Sequence, residues 1–378
     1  MPVQRIQRLT RFGMLSAAVT AVVILACVAG PRNSVGAGPA GAKKNDDGTF
    51  GDSHFDPIKE NGRIFDGWKT PQALILITGS QDGYIEPCGC AGIENQKGGM
   101  SRRYDLIRSL QEKKWPTVAL DAGGLVKGYG KQADLKYEAA VNSLKAMSYG
   151  AIGLGVPELK LSVDELISKT SDDERFVSAN VGLIEANDDI LRRSRIFELN
   201  GVRIGVTSIV NTVDFPVLAN NKDLKLIDPI AGLKDVYKEM LQKNCRRMIL
   251  LTSGDAKEAK KIAETYPKFT DIVIAGPGDN PPAEPKTIEG TKTLLLETGH
   301  KGMYALALGM YDDAAGTVLY QRIPLDARFG DAEAIAKVFA KYQSQLEGHG
   351  LKGLGVKATP NPTGRGAYVG SKACGACR

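Results

Sequence analysis

The chain has 378 residues, 43% of them apolar and 24% charged, with a formal net charge of +6. That length and balance suit a globular protein able to bury one large core or two smaller ones, and they exclude a chain that is disordered throughout. Residues 1–37 hold four arginines and no acid, so without them the charge falls from +6 to +2, which leaves nucleic-acid binding without support.

At the N-terminus, Arg5, Arg8 and Arg11 precede an uncharged apolar run over 12–30, the basic and apolar pattern of an export signal. Ala37, with Val35 two residues before it, offers a cleavage point. Ile24-Leu25-Ala26-Cys27 resembles a bacterial lipid-attachment motif and makes Cys27 the candidate lipidation site. The apolar run is also near the length that spans a bilayer, which would anchor the chain through its N-terminus. A cleaved signal over 1–37, a lipid anchor and a membrane anchor all place the protein outside the cytoplasm, in the periplasm or cell envelope.

Residues 38–70, rich in Gly, Asn, Asp and Lys, read as a flexible linker that becomes ordered near Ile64. Apolar runs then predict strands at 73–78, 117–121, 151–154, 176–180, 203–209, 248–252, 271–275, 293–297, 303–310 and 317–323. Leu135, Ala139, Leu144 and Met147 are spaced for a helix, and Ser162-Val163-Asp164-Glu165 forms a capping box that opens another. Further helices fall at 233–241 and 256–266. Helices separate the early strands, whereas the last strands follow one another directly. The expected fold class is α/β, a four-layer α-β-β-α sandwich over 71–325 with a partly antiparallel second sheet. One more helix, at 331–347 in the segment 326–347, carries Ile335, Val338, Phe339, Tyr342 and Leu346 on one face and is expected to pack back on the sandwich. Residues 348–378 read as a flexible tail ending in Cys374-Gly375-Ala376-Cys377-Arg378.

Six cysteines in an exported chain can oxidise. Cys27 leaves with the signal or carries lipid, and Cys245 reads as an inert buried thiol. Cys88 and Cys90, one residue apart in Glu86-Pro87-Cys88-Gly89-Cys90, and Cys374 with Cys377 are candidates for disulfide or redox pairing or for soft-metal ligation, including one shared zinc.

Three segments carry a family resemblance: Gly98-Gly99-Met100-Ser101-Arg102-Arg103, Leu120-Asp121-Ala122-Gly123-Gly124, and the run from Ser148 to Gly155. They are similar to the Gly-Gly-x-x-Arg, Asp-Ala-Gly-Asp and Gly-Asn-His-Glu segments of the calcineurin-like metallophosphoesterases. The likeness is to the N-terminal domain of the periplasmic 5'-nucleotidase and UDP-sugar hydrolase branch, and it covers about residues 71–323. It implies the four-layer sandwich and two divalent ions at the strand ends, which clamp phosphoryl oxygens and generate hydroxide.

The ligands themselves do not carry over. Ser80 and Asp82 stand for Asp-x-His, Gly124 for the bridging Asp, Val156-Pro157 for Asn-His, Ser253 for a His, and Pro277 and Asp279 for His-x-His. His54, His300 and His349 read as surface residues. Asp82, Asp255 and Asp279 remain as candidate oxygen ligands for a divalent cation such as calcium or magnesium, or else as turn and cap residues. Gly98, Gly99, Arg102 and Arg103 either bind a small anion with backbone amides at a helix start or form a solvated helix face.

The last residues, from Tyr368 to Cys377, resemble the entry to a multihaem c-type cytochrome domain. Arg378 stands where that motif has its iron-ligating His, and a guanidinium cannot ligate iron, so the reading assigns no haem to this chain and points to a c-type cytochrome system as partner. The expected function is an exported phosphoesterase-like protein without its dinuclear centre, acting as a non-catalytic binding or structural partner. Two alternatives stand beside it: a divergent divalent-metal phosphoesterase using Asp ligands, and a thiol redox or Cys-metal module.

Overall fold

The strand at 73–78 is buried along its whole length, and its side chains divide between two cores. Leu74 and Leu76 face a helical layer, whereas Ala73, Ile75 and Ile77 face a second sheet. A continuous apolar run of this kind is what a strand covered on both faces requires. The computed structural model describes residues 5–6 and 56–357, apart from 89–94, 129, 171–172, 184–190, 212–213, 219–220, 277 and 279.

The first half runs β1 (Arg5–Ile6), α1 (Pro57–Asn61), β2 (Ala73–Thr78), α2 (Met100–Glu112), β3 (Thr117–Asp121), α3 (Lys131–Ala146), β4 (Ala151–Gly153), α4 (Val156–Leu159), α5 (Val163–Thr170) and β5 (Phe176–Val177). There follow β6 (Val181–Leu183), β7 (Arg195–Leu199), β8 (Val202–Ile209), α6 (Phe215–Leu218), β9 (Leu224–Leu226), α7 (Pro229–Gln242), β10 (Arg247–Thr252), α8 (Ala256–Thr265) and β11 (Asp271–Ile274). The chain closes with β12 (Lys286–Thr287), β13 (Leu294–Glu297), β14 (Tyr304–Met310), β15 (Val318–Pro324) and α9 (Glu333–Gly353).

The strands build one sheet in the order β1-β15-β14-β2-β3-β4-β5, another in the order β12-β13-β11-β10-β8-β7, and a separate β6-β9 pair. A core between the sheets contains Ile75, Leu120, Val206, Leu251 and Val273. A second core packs α2, α3 and α9 on the outer face of the first sheet. The third packs α7 and α8 on the outer face of the second, through residues such as Leu233, Met240 and Ile262. The layers are therefore α-β-β-α, as expected.

Two details differ from the expectation. The second sheet is partly antiparallel as expected, through its edge strands β7 and β12, and parallel from β8 through β10 and β11 to β13, but the antiparallel strands β14 and β15 extend the first sheet, with β14 pairing antiparallel to β2. Residues 56–70, expected in the linker, instead form a strap on the first sheet. Its Phe65 and Trp68 are buried, with Phe65 5.1 Å from both Trp68 and Trp115 between ring centroids. Burial of each large ring contributes about 1.5–3 kcal/mol. The Phe65 N–H also donates to Gln321 Oε1 at 2.7 Å, Arg328 donates to the Gly62 carbonyl at 2.6 Å, and Asn61 donates to Asp326 at 2.8 Å. Apolar rings anchor what a Gly- and Asp-rich composition presented as linker.

Helix α9 buries the face expected of it: Ile335 and Tyr342 are buried, and Val338, Phe339 and Leu346 pack beside them. Lys341 and Gln345 reach Glu138 on α3 at 2.8 and 3.3 Å. The helix runs past the expected end at 347 to Gly353, with Gly350 leaving helical geometry. Among the described residues, no helix is long and apolar enough to cross a membrane.

Candidate functional site

The parallel strands deliver their C-terminal ends to one mouth. Ser80, just after β2, lies at its centre. The Ser80 N–H donates to the Gly123 carbonyl at 2.7 Å, and its own carbonyl accepts from Gly302 N–H at 2.9 Å, joining the loops after β3 and β13. A Cβ placed on Gly124 would lie 3.1 Å from Ser80 Cα, and one on Gly276 would lie 3.1 Å from Ser80 Oγ. Gly124 also has φ +76, a backbone conformation that disfavours side chains. A side chain at 124 would therefore crowd the main chain of the loop after β2, which would have to give by a few tenths of an ångström.

Asp82 is half-buried with φ +52, and its carboxylate accepts the Lys301 N–H at 3.0 Å while its own N–H donates to the Gly124 carbonyl at 2.8 Å. Its role in the structure is to tie three loops. Asp255 caps α8, accepting from Glu258 N–H at 2.8 Å. Asp279 and Pro277 lie outside the described residues. Ser253 donates to Asp214 at 3.2 Å, and burial raises the Asp214 carboxyl above its ordinary range against the pull of that hydrogen bond and of Lys160. His300 lies in the turn after β13 with Nδ1 3.1 Å from the Gly278 carbonyl. Among the described residues, no group of three or more His, Cys, Asp or Glu is placed to hold a metal ion.

The sequence reading missed Glu158. This carboxylate is wholly buried and accepts four backbone N–H groups: Gly124 and Gly155 on Oε2 at 3.2 and 2.8 Å, and Leu125 and Val126 on Oε1, the latter at 3.2 Å. It pins the loop after β3 to the loop after β4. Burial pushes its carboxyl upward, and the amides pull it back down. Its sequence signal was available, since Glu158 stands in the Glu place of Gly-Asn-His-Glu.

Below the mouth lies a buried polar cluster. Arg103 Nη1 is 3.2 Å from Asp121 Oδ2, and neither side chain has any exposure. Arg103 also donates to Gln81, while Asp121 accepts from Thr78 Oγ1 at 2.6 Å and from Gly123 N–H at 3.0 Å. The Thr78 hydroxyl lies 2.9 Å from the Tyr149 hydroxyl, whose proton is held more tightly, to about 12, chiefly by burial. Of the four residues considered for an anion, Arg103 is committed inward. Arg102 donates to the carbonyls of Gln96 and Leu325 at 2.5 and 3.2 Å, Gly98 N–H donates to Leu325, and Gly99 packs on Pro87.

Cys88 is buried on the rim, where its N–H donates to the Lys97 carbonyl at 3.0 Å, and Lys301 Nζ lies 3.6 Å from its sulfur. The same ammonium is 5.2 Å from the centroid of the Tyr84 ring. Cys27, Cys90, Cys374 and Cys377 lie outside the described residues. Cys245 is half-buried, not fully buried as expected, because it sits at the edge of the core beside Met240; burial raises its thiol.

Comparison with solved structures identifies the fold. The sulfate thiohydrolase SoxB of Thermus thermophilus, in complex with glycerol, superposes with a TM-score of 0.62 at 13% identity, covering 75% of this chain and 62% of that one. A 5'-nucleotidase precursor from the same organism gives 0.61 at 17%, covering 73% and 59%. The calcineurin-like phosphoesterase YfkN of Bacillus subtilis gives 0.57 at 14%, covering 72% and 97%. The chain has the calcineurin-like metallophosphoesterase fold. In sequence, the metallophosphoesterase-fold chain is 25% identical over 194 residues to a snake venom 5'-nucleotidase from Crotalus adamanteus, across 50% of this chain and 32% of that protein. It spans about a third of that curated relative's length. No family model matches it. The cytochrome-like tail falls outside the described residues and gains no support from these comparisons.

Proposed function

We propose that this chain is an exported metallophosphoesterase-fold protein that has given up the dinuclear centre of its relatives and serves as a binding or structural module for another exported protein. The observation that carries the reading is the approach of Ser80 to Gly124, with 3.1 Å between Ser80 Cα and the point a Cβ on residue 124 would occupy. Two cations held close together need a bridging anion and several strongly donating ligands. Gly124, Val156 and Pro157 have no side-chain donor, Ser80 and Ser253 offer neutral hydroxyls, and the Asp82 carboxylate already accepts a backbone amide. This donor set does not fit the metal pair. Export is supported by the basic and apolar N-terminus.

The test is phosphatase and 5'-nucleotidase turnover by the full chain with added manganese, zinc or calcium, together with elemental analysis. The expected result is no metal-dependent turnover. Turnover that needs metal and disappears in Asp82→Asn would overturn the proposal in favour of a divergent hydrolase using Asp oxygens.

A further inference from the structure

The sequence contains two Asn-Gly dipeptides, Asn61-Gly62 and Asn200-Gly201, and the fold treats them differently. The first closes α1 inside the strap. There the Gly62 N–H donates to the Ile58 carbonyl at 2.9 Å, the Asn61 amide donates to Asp326 at 2.8 Å, and Arg328 donates to the Gly62 carbonyl at 2.6 Å. The second dipeptide is the whole loop of the β7–β8 hairpin, in which Leu199 pairs with Val202. Asn200 at φ +45 and Gly201 at φ +79 supply the left-handed pair that such a two-residue turn demands. The closing hydrogen bonds of this turn run between the flanking residues, which leaves the Gly201 N–H to solvent. Both residues are exposed, and a Cβ on Gly201 would meet nothing within 4 Å. Strand β7 is also the edge of its sheet, where local opening costs least.

We propose that Asn200 is a self-modification site, at which the Gly201 backbone nitrogen displaces the Asn200 side-chain amide and water completes a deamidation. The Gly201 nitrogen gives its proton to solvent and attacks Asn200 Cγ, forming an N–Cγ bond. The Cγ–Nδ2 bond breaks, and the departing nitrogen takes the electron pair and leaves as ammonia after protonation by solvent. Water then opens the succinimide. Opening at Cγ leaves an aspartate at position 200, whereas opening at the main-chain carbonyl leaves isoaspartate, with one more methylene in the backbone. Neither route needs an oxidant or a second reactant besides water. Glycine suits the step because it has no side chain to shield the attacking nitrogen. At Asn61 the same attack must first break the hydrogen bonds of both the Gly62 N–H and the Asn61 amide. The product bears on the fold, since the extra methylene lengthens a loop whose two residues set the β7–β8 register. The inference does not depend on the proposed absence of phosphoesterase activity.

The test ages the full folded chain in neutral and mildly alkaline buffer, with a denatured sample in parallel, and follows deamidation at each Asn-Gly by peptide mass mapping. In the denatured chain the two sites are expected to react at similar rates. In the folded chain Asn200 is expected to react at least about tenfold faster than Asn61, because only Asn61 must first lose hydrogen bonds. The acidic form that accumulates first on ion exchange should be missing from Asn200→Ser. An Asn200 that stays intact in the folded chain while the denatured chain reacts there overturns the proposal. Equal rates at the two sites in the folded chain overturn it, as does persistence of the early acidic form in Asn200→Ser.

Discussion

Arg103 and Asp121 meet at 3.2 Å with no side-chain exposure on either residue, so the ion pair that joins α2 to β3 is sealed from solvent. Removing one member strands the other charge in the interior, a loss of about 3–5 kcal/mol. Arg103→Met is expected to lower the unfolding free energy by that amount, read from the shift of the denaturant midpoint in chemical unfolding. The double variant Arg103→Met with Asp121→Leu should recover part of the loss, because no charge is left unpaired.

Glu158 gives a sharper test of chemistry at constant shape. Each carboxylate oxygen accepts two amides, so Glu158→Gln keeps one acceptor oxygen and turns an NH2 group toward two N–H donors. Two orphaned donors at about 1–3 kcal/mol each predict a loss of about 2–6 kcal/mol. Hydrogen exchange at residues 124–126 and 155 should rise more than exchange in β2.

Restoring a carboxylate at position 124 should fail. Gly124→Asp must adopt φ +76 with its Cβ crowding Ser80, a strain of about 1–3 kcal/mol. The expected outcome is a lowered melting temperature and no metal uptake by elemental analysis. Uptake of stoichiometric metal by this variant would show that the loop after β2 yields.

Asp173 supplies a pH signature. Burial alone would raise its carboxyl, but hydrogen bonds and charge from Arg175 outweigh burial and hold it below the ordinary range. A depressed carboxylate stabilises the fold above its unfolded pKa, and that contribution is lost as pH falls through the folded value. The melting-temperature difference between wild type and Arg175→Met should therefore shrink as pH falls below about 5 and go on shrinking below the ordinary aspartate range.

What was legible in the sequence was whatever depends on near neighbours. The strand at 117–121 and the apolar face of α9 follow from local periodicity, and both coincide with the structure. The assignment of β14 and β15 to the first sheet was not legible, because pairing of Met310 with Ala73 crosses most of the chain. Arg103 looked like any charged residue near a helix start, since its partner lies on the next strand. Glu158 looked like a polar residue of a short helix, and only the four amides around it reveal its work. The strap was hidden by composition: Phe65 and Trp68 are two apolar residues in a polar segment, and what they pack against is remote.

The strap has one practical consequence. The chain has two tryptophans, and Trp68 of the strap stacks with Trp115 of the body at 6.4 Å. The tryptophan emission therefore originates at one junction, and a red shift on denaturation will report the release of residues 56–70 from the sheet.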